Sequence, residues 1–233
     1  MGLKESGLRG SLRNVSVGID AIPDSENLHA NWDLQDQNFD DGDPITTIED
    51  ATENGHDLTG GSATYEESGF NGLPAANFDG EDDFYDIAPT DFETIDQPTT
   101  HYFVVEISSP GDTQRLLEQQ DSDLDRQRTR WESSDDWEIF AGNIDVSGSG
   151  NSDANIVTSR FDGQSSLIRE DGTQIDSGNS GSESLPAVSL GTLRQGETDF
   201  WEGRIMQVMI YDAGHDESTI EEVESYLESR WGI

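Results

Sequence analysis

The residues whose type and spacing stand out chemically are arginines. Arg126, Arg128 and Arg130 alternate in the run DRQRTRW (125–131), and they are three of only 12 cations in a chain that carries 50 acids. On a β-strand, alternate residues share one face, so three guanidiniums would stand side by side with Trp131 and Trp137 close by. A guanidinium fork matches carboxylate and sulfate oxygens, and an indole offers a flat apolar surface to a sugar ring. Two roles fit such a row. One is an internal ladder of salt bridges to neighbouring acids or to an adjacent subunit; the other is a glycan-binding site made of Arg126, Arg128, Arg130, Trp131 and Trp137.

Other chemistries find less support. The absence of cysteine removes disulfides, thiolate zinc sites and Cys nucleophiles. The four histidines, His29, His56, His101 and His215, are far apart in sequence and form no H-E-x-x-H. The acid clusters Asp40, Asp41, Asp43 and Asp121, Asp123, Asp125 could offer oxygens to calcium. The second lacks the glycine and closing glutamate of an EF-hand, and a solvated acidic surface accounts for both. No cofactor is expected, and a structural cation stays unassigned.

The charge balance narrows the partners. A net charge of −38 repels phosphate backbones and anionic headgroups, which argues against nucleic acid and membrane surfaces. Of the 12 cations 11 are Arg, and Lys4 is the single lysine. Leu, Ile, Val and Phe number 49 of 233 residues, at the edge where high net charge predicts disorder. Molar salt shortens the Debye length to about 3 Å and removes most of that self-repulsion. An acidic, lysine-poor chain with ordered strand signals therefore reads as one that folds in near-saturating salt, from an extreme halophile or a virus of one.

The elements that must position these residues follow from periodicity. Residues 1–25 are neutral, with Lys4, Arg9 and Arg13 balanced by Glu5, Asp20 and Asp24. They read as a docking arm whose contacts are Lys4, Leu8, Arg9, Leu12 and Arg13. Residues 26–233 read as one domain of short strands: Tyr102 to Ile107, Asn155 to Phe161, Ser166 to Glu170, Thr173 to Asp176, and a long central strand over Trp201 to Tyr211. Asp162-Gly163 and Asp171-Gly172 supply the positive φ that tight hairpins need. One helix closes the chain, with a capping box at Ser218-Thr219-Ile220-Glu221 and an apolar stripe of Ile220, Val223, Leu227 and Trp231 opposite Glu221, Glu222, Glu224 and Glu228. The expected class is all-β, an antiparallel β-sandwich of jelly-roll type with one C-terminal α-helix and an N-terminal arm.

Three ordered blocks then carry a resemblance. Residues 45–60 (ITTIEDATENGHDLTG), 71–84 (NGLPAANFDGEDDF) and 200–233 (FWEGRIMQVMIYDAGHDESTIEEVESYLESRWGI) resemble segments of the concanavalin A-like, laminin-G-like domains of viral and bacterial surface proteins. Glu49 and Ala51 depart from that pattern, and Arg230 stands where its members usually carry lysine. The opening MGLKESGLRGSLRNVS looks like the start of structural proteins from tailed viruses of haloarchaea. The resemblance implies a concanavalin A-like fold and mixed binding, adhesive and structural roles.

Enzymes of that fold, the family 16 glycoside hydrolases, use E-x-D-x-x-E on one strand, with two carboxylates about 5 Å apart in retaining members. Glu81, Asp83 and Asp86 approach this as E-x-D-x-x-D, within a block where non-catalytic relatives also carry acids. Glu132, Asp135 and Glu138 fail on spacing. The expectation is no enzyme, but a virion structural protein (turret, spike, decoration or fibre) on the capsid or tail of a halophilic archaeal virus. Residues 1–25 would dock on other virion proteins, the domain would be a homo-oligomer, and its outer surface would touch host glycans or S-layer. Residues 1–11 hold no secretory apolar core, which fits synthesis in the host cytoplasm and display on the virion surface. The rivals are a cell-encoded carbohydrate-binding or adhesion module and a glycosidase.

Overall fold

A computed structural model describes residues 22–118, 126–142, 145–153, 155–193 and 198–233. In chain order the strands are β1 (Leu28–Asp33), β2 (Thr47–Ile48), β3 (Leu58–Thr59), β4 (Thr64–Phe70), β5 (Leu73–Asp79), β6 (Tyr85–Ile87), β7 (Thr99–Ile107) and β8 (Gln114–Glu118). They continue as β9 (Arg128–Glu132), β10 (Asp136–Phe140), β11 (Asp145–Ser149), β12 (Asn155–Phe161), β13 (Ser166–Glu170), β14 (Thr173–Gly178), β15 (Val188–Leu190) and β16 (Glu202–Tyr211), before helix α1 (Glu217–Trp231). Two antiparallel sheets stack as a sandwich. The first runs β14-β13-β12-β7-β16-β5-β4 with β1 also paired to β16, and the second runs β11-β10-β9-β8-β15-β6-β3-β2.

β16 is central, as its apolar second half requires, and it bonds to β7, β5 and β1. Asp171 and Gly172 both hold positive φ, 47° and 75°, and close β13 onto β14 in two residues. Asp162-Gly163 behaves differently from expectation. A 3-10 turn over Gly163–Ser165 separates β12 from β13, because the Ser166 hydroxyl accepts from the Asp162 amide and the Arg160 guanidinium holds the Ser165 carbonyl.

Helix α1 packs its stripe of Ile220, Val223, Leu227 and Trp231 on the first sheet, all four buried. Its cap is Asp216 rather than the expected box, since the Asp216 carboxylate accepts from the Thr219 amide and from both the Ser218 and Thr219 hydroxyls. Glu224 also departs from expectation. It lies on the buried side, where Arg169 of β13 donates to both its oxygens at 3.1 Å and the Thr158 hydroxyl of β12 donates at 2.8 Å. Replacing it by Glu224→Gln keeps the shape and one acceptor but strips the charge facing Arg169. The expected loss is about 2 kcal/mol in urea unfolding, the usual worth of a hydrogen bond to a charged group.

The far end of α1 is pinned by a second buried pair. Arg230 bonds Asp33 of β1, with Nη2 2.6 Å from Oδ2, and the Trp231 indole donates to Gln207 of β16. The chain enters the sandwich beside this helix. Ile22 is buried, the Tyr211 hydroxyl donates to the Pro23 carbonyl, and His215 sits between Asp24 and Tyr102, its Nε2 3.0 Å from one and its Nδ1 2.7 Å from the other. Residues 22–25 thus pack with the sandwich. Lys4, Leu8, Arg9, Leu12 and Arg13 lie outside the described residues.

Candidate functional site

Strand register decides which side of the second sheet each residue faces. β9 and β10 pair Trp131 with Trp137, Arg130 with Glu138 and Arg128 with Phe140. The two indoles turn inward. Both are fully buried, 5.2 Å apart edge to face, and Trp137 stacks on Trp201 at 6.2 Å. Their N–H groups are committed, Trp131 to the Pro110 carbonyl and Trp137 to Glu170. Trp131 and Trp137 therefore offer no face to a sugar, contrary to the sequence expectation. The alternation that puts the arginines on one face puts the tryptophans on the other.

The arginines do come together, on the outer face of that sheet. Glu138 Oε1 lies 2.5 Å from both Arg128 Nη2 and Arg130 Nε, and Arg130 also pairs with Glu132. Arg126 precedes the strand yet joins the group, with Nη1 3.2 Å from Glu118 Oε1. The guanidiniums of Arg126 and Arg128 both lie over the Phe140 ring, at 5.0 and 4.6 Å from its centre. Arg115 of β8, opposite Arg130, completes the cluster through Glu118 and Asp199.

This outer face is unusually well covered. Glu118 has no exposed side-chain surface and Arg128 is 5% exposed; of the four arginines Arg126 and Arg130 are the most open, at 17% of their side chains. Burial pulls the Arg128 guanidinium below its ordinary range, and nearby Arg130 and Arg115 add to the pull while Glu138 and Glu118 oppose it. Four cations face four acids, so the cluster is internally neutralised. Arg115, Glu118, Glu138, Phe140 and Asp199 were not anticipated. Glu138 could have been found by folding the SSD turn between Trp131 and Trp137, which sets Arg130 opposite Glu138.

The proposed carboxylate triple does not assemble as a strand pattern. Glu81 is exposed in a turn, Asp83 accepts from the Ser62 hydroxyl and the Asp79 amide, and Asp86 on β6 accepts from Ser189. Among the described residues one acidic group, Asp79, Asp82 and Asp83, brings oxygens within 4.8 Å of one another. Asp40, Asp41 and Asp43 are not part of it, and Asp121, Asp123 and Asp125 lie outside the described residues. The histidines, distant in sequence, partly converge: His29 stacks on His56 at 4.5 Å, and both touch Phe92. No helix among the described residues is long and apolar enough to cross a membrane.

Comparison with solved structures fixes the architecture. A Trypanosoma rangeli sialidase in complex with a 2,3-difluoro-KDN superposes over 88% of this chain with TM-score 0.61 and 14% identity. The CBM40 of the Ruminococcus gnavus IT-sialidase, bound to α2,3-sialyllactose, covers 65% of this chain with TM-score 0.51 and 16% identity. The fold is a lectin-like β-sandwich. The chain spans 33% of the sialidase, and 95% of the CBM40 lies within the match. No family model and no curated protein matches the chain.

Proposed function

We propose that this protein is a non-catalytic virion structural protein of a halophilic archaeal virus, anchored through residues 1–25 and touching host surface glycans. The observation that carries the glycan part is the arginine cluster on the outer face of a lectin-like sandwich. Arg126 and Arg130 stand at its open margin, where a carboxylate or sulfate of a sugar can take over part of the bonding now given by Glu118, Glu132 and Glu138. The similar CBM40 domain, matched over nearly its whole length, was obtained with α2,3-sialyllactose bound, which supports an acidic sugar as the ligand class. The virion part rests on the acidic, lysine-poor composition and on the opening residues.

The test uses the purified protein in molar KCl. It should compete with particle adsorption to host cells, and the double variant Arg126→Gln, Arg130→Gln should compete about tenfold less well at unchanged circular dichroism. Equal competition by the variant would overturn the arginine site. Absence of the chain from purified particles would overturn the virion reading and favour a cell-encoded carbohydrate-binding module, the alternative to which the CBM40 likeness lends weight.

A further inference from the structure

Glu118 is held differently from the other acids of the arginine cluster. It ends β8, an inner strand of the second sheet between β9 and β15, and its side chain has no exposed surface. Neither of its oxygens accepts a hydrogen bond. Among the described residues two ion pairs meet its charge, Arg126 at 3.2 Å and Arg115 at 3.6 Å. Arg115 is already committed elsewhere, with Nε and Nη2 each 3.0 Å from Asp199 Oδ2. Arg126 is therefore the main partner of Glu118. Across the sheet, Glu118 stands opposite the uncharged Ser189 of β15, and Ser189 stands opposite a further acid, Asp86 of β6.

An anionic ligand upsets this balance. Arg126 lies at the open margin of the cluster, and its Nε is buried without a hydrogen-bond partner. A guanidinium that turns to an outside carboxylate or sulfate leaves Glu118 with the longer of its two contacts, to an arginine shared with Asp199. The incoming charge also has the same sign as Glu118. A covered carboxylate that loses its counter-ion cannot regain water, and such a group takes a proton rather than stay charged. The neighbouring acids have other outlets. Glu132 keeps 21% of its side chain exposed and accepts from the Thr113 hydroxyl, while Glu138 is shared by Arg128 and Arg130.

We infer that Glu118 is the proton-coupled counter-anion of the arginine site, holding Arg126 in the free protein and taking up one proton when an anionic ligand claims that arginine. The inference rests on the glycan reading above for the ligand class and adds the regulation of its site. The groups arrayed around Glu118 are Arg115 on its own strand, Arg126 and Arg128 at the start of β9, Ser189 and Asp86 from β15 and β6, and Asp199 behind Arg115. No histidine is bonded into the cluster: His56 and His215 pair with Asp50 and Asp24, and His29 and His101 keep unpartnered ring nitrogens. Because the complex holds one proton more than its separate parts, acid favours binding. Affinity then falls by up to about tenfold per pH unit as pH rises, for as long as that difference of one proton lasts.

The test titrates the full chain in molar KCl with α2,3-sialyllactose and with sulfate by calorimetry, at pH 6 and pH 8, each in two buffers of different ionisation heat. About one proton should be taken up per ligand bound at pH 8, and affinity at pH 6 should be higher by about tenfold or more. Glu118→Gln keeps the shape and has no proton to gain, so it should bind without proton uptake and with little pH dependence. Glu132→Gln should retain both. Saturation without proton uptake in the wild type, or undiminished uptake in Glu118→Gln, overturns the inference and leaves the arginine site standing. Where Glu118→Gln does not fold, the counts for the wild type and Glu132→Gln decide, and a count near zero in either overturns it. No saturation by either ligand overturns the arginine site, and the inference falls with it.

Discussion

His101→Phe is expected to make the protein more stable at neutral pH and much less sensitive to acid. His101 lies on β7 facing the sandwich core, fully buried, with neither ring nitrogen hydrogen-bonded and with Phe161 and Phe103 as ring neighbours. Burial, aided by nearby His29, pushes its pKa down to about 3 from 6.5. A histidine whose folded pKa lies below its unfolded one resists protonation only while folded. Its contribution is therefore complete above pH 6.5 and is lost as pH falls from there towards 3, about 5 kcal/mol in all and about 2 kcal/mol by pH 5. Phenylalanine removes both the titration and two unpaired buried nitrogens, the latter worth on the order of 1–3 kcal/mol. Urea unfolding at pH 7 and pH 5 in molar KCl reads both effects. Equal pH dependence in wild type and variant would disprove the assignment, and His101→Leu guards against crowding by the phenyl ring.

The second large effect is expected at Glu118. Its carboxylate has no exposed surface and lies between Arg115 and Arg126, 3.6 and 3.2 Å away. Glu118→Ala strands the Arg126 guanidinium and leaves Arg115 with Asp199 alone, in a covered cluster that already contains Arg128 and Arg130. Breaking one side of a buried pair costs about 3–5 kcal/mol, which for a domain of this size is a fall in Tm on the order of 10 °C. Sulfate should recover more of the loss in the variant than it adds to the wild type, because the vacated place suits an anion. A loss under about 1 kcal/mol would mean that the ladder is not holding the face together. If the loss is large but sulfate brings no selective recovery, the cluster is structural without being receptive to anions.

These expectations show where sequence reasoning reached and where it stopped. The sandwich, the central β16 and the closing helix were legible because each rests on local periodicity: alternation in strands, a three-to-four spacing in the helix. The position of Glu224 was not, because a helical wheel marks it polar while Arg169, 55 residues earlier, decides that it is buried. The same limit governed the tryptophans. DRQRTRW shows that arginine and tryptophan fall on opposite faces, but only the pairing of β9 with β10 shows that the tryptophans take the core.

The arginines themselves carry the larger lesson. All eight in the described residues, Arg115, Arg126, Arg128, Arg130, Arg160, Arg169, Arg204 and Arg230, bond to carboxylates or backbone carbonyls of the same chain. Arg204, for example, joins Glu66 of β4 to Glu106 of β7 across β16. In a chain with −38 net charge, retained arginine marks places where acids must be brought together internally.

The entry of the chain beside α1 has a mechanical meaning. Tension applied upstream of Ile22 reaches β1 only after the His215–Asp24 and Tyr211–Pro23 contacts yield. Beyond them, β1 runs antiparallel to the central β16, with Leu28 opposite Tyr211 and Asp33 opposite Gln207. Antiparallel bonds lie across the strand direction, so a pull along β1 loads them in shear and all at once. Two side-chain contacts act as a fuse in front of a strand that bears load as a unit, the arrangement a domain needs if it is to be tugged at one end while gripping something at the other.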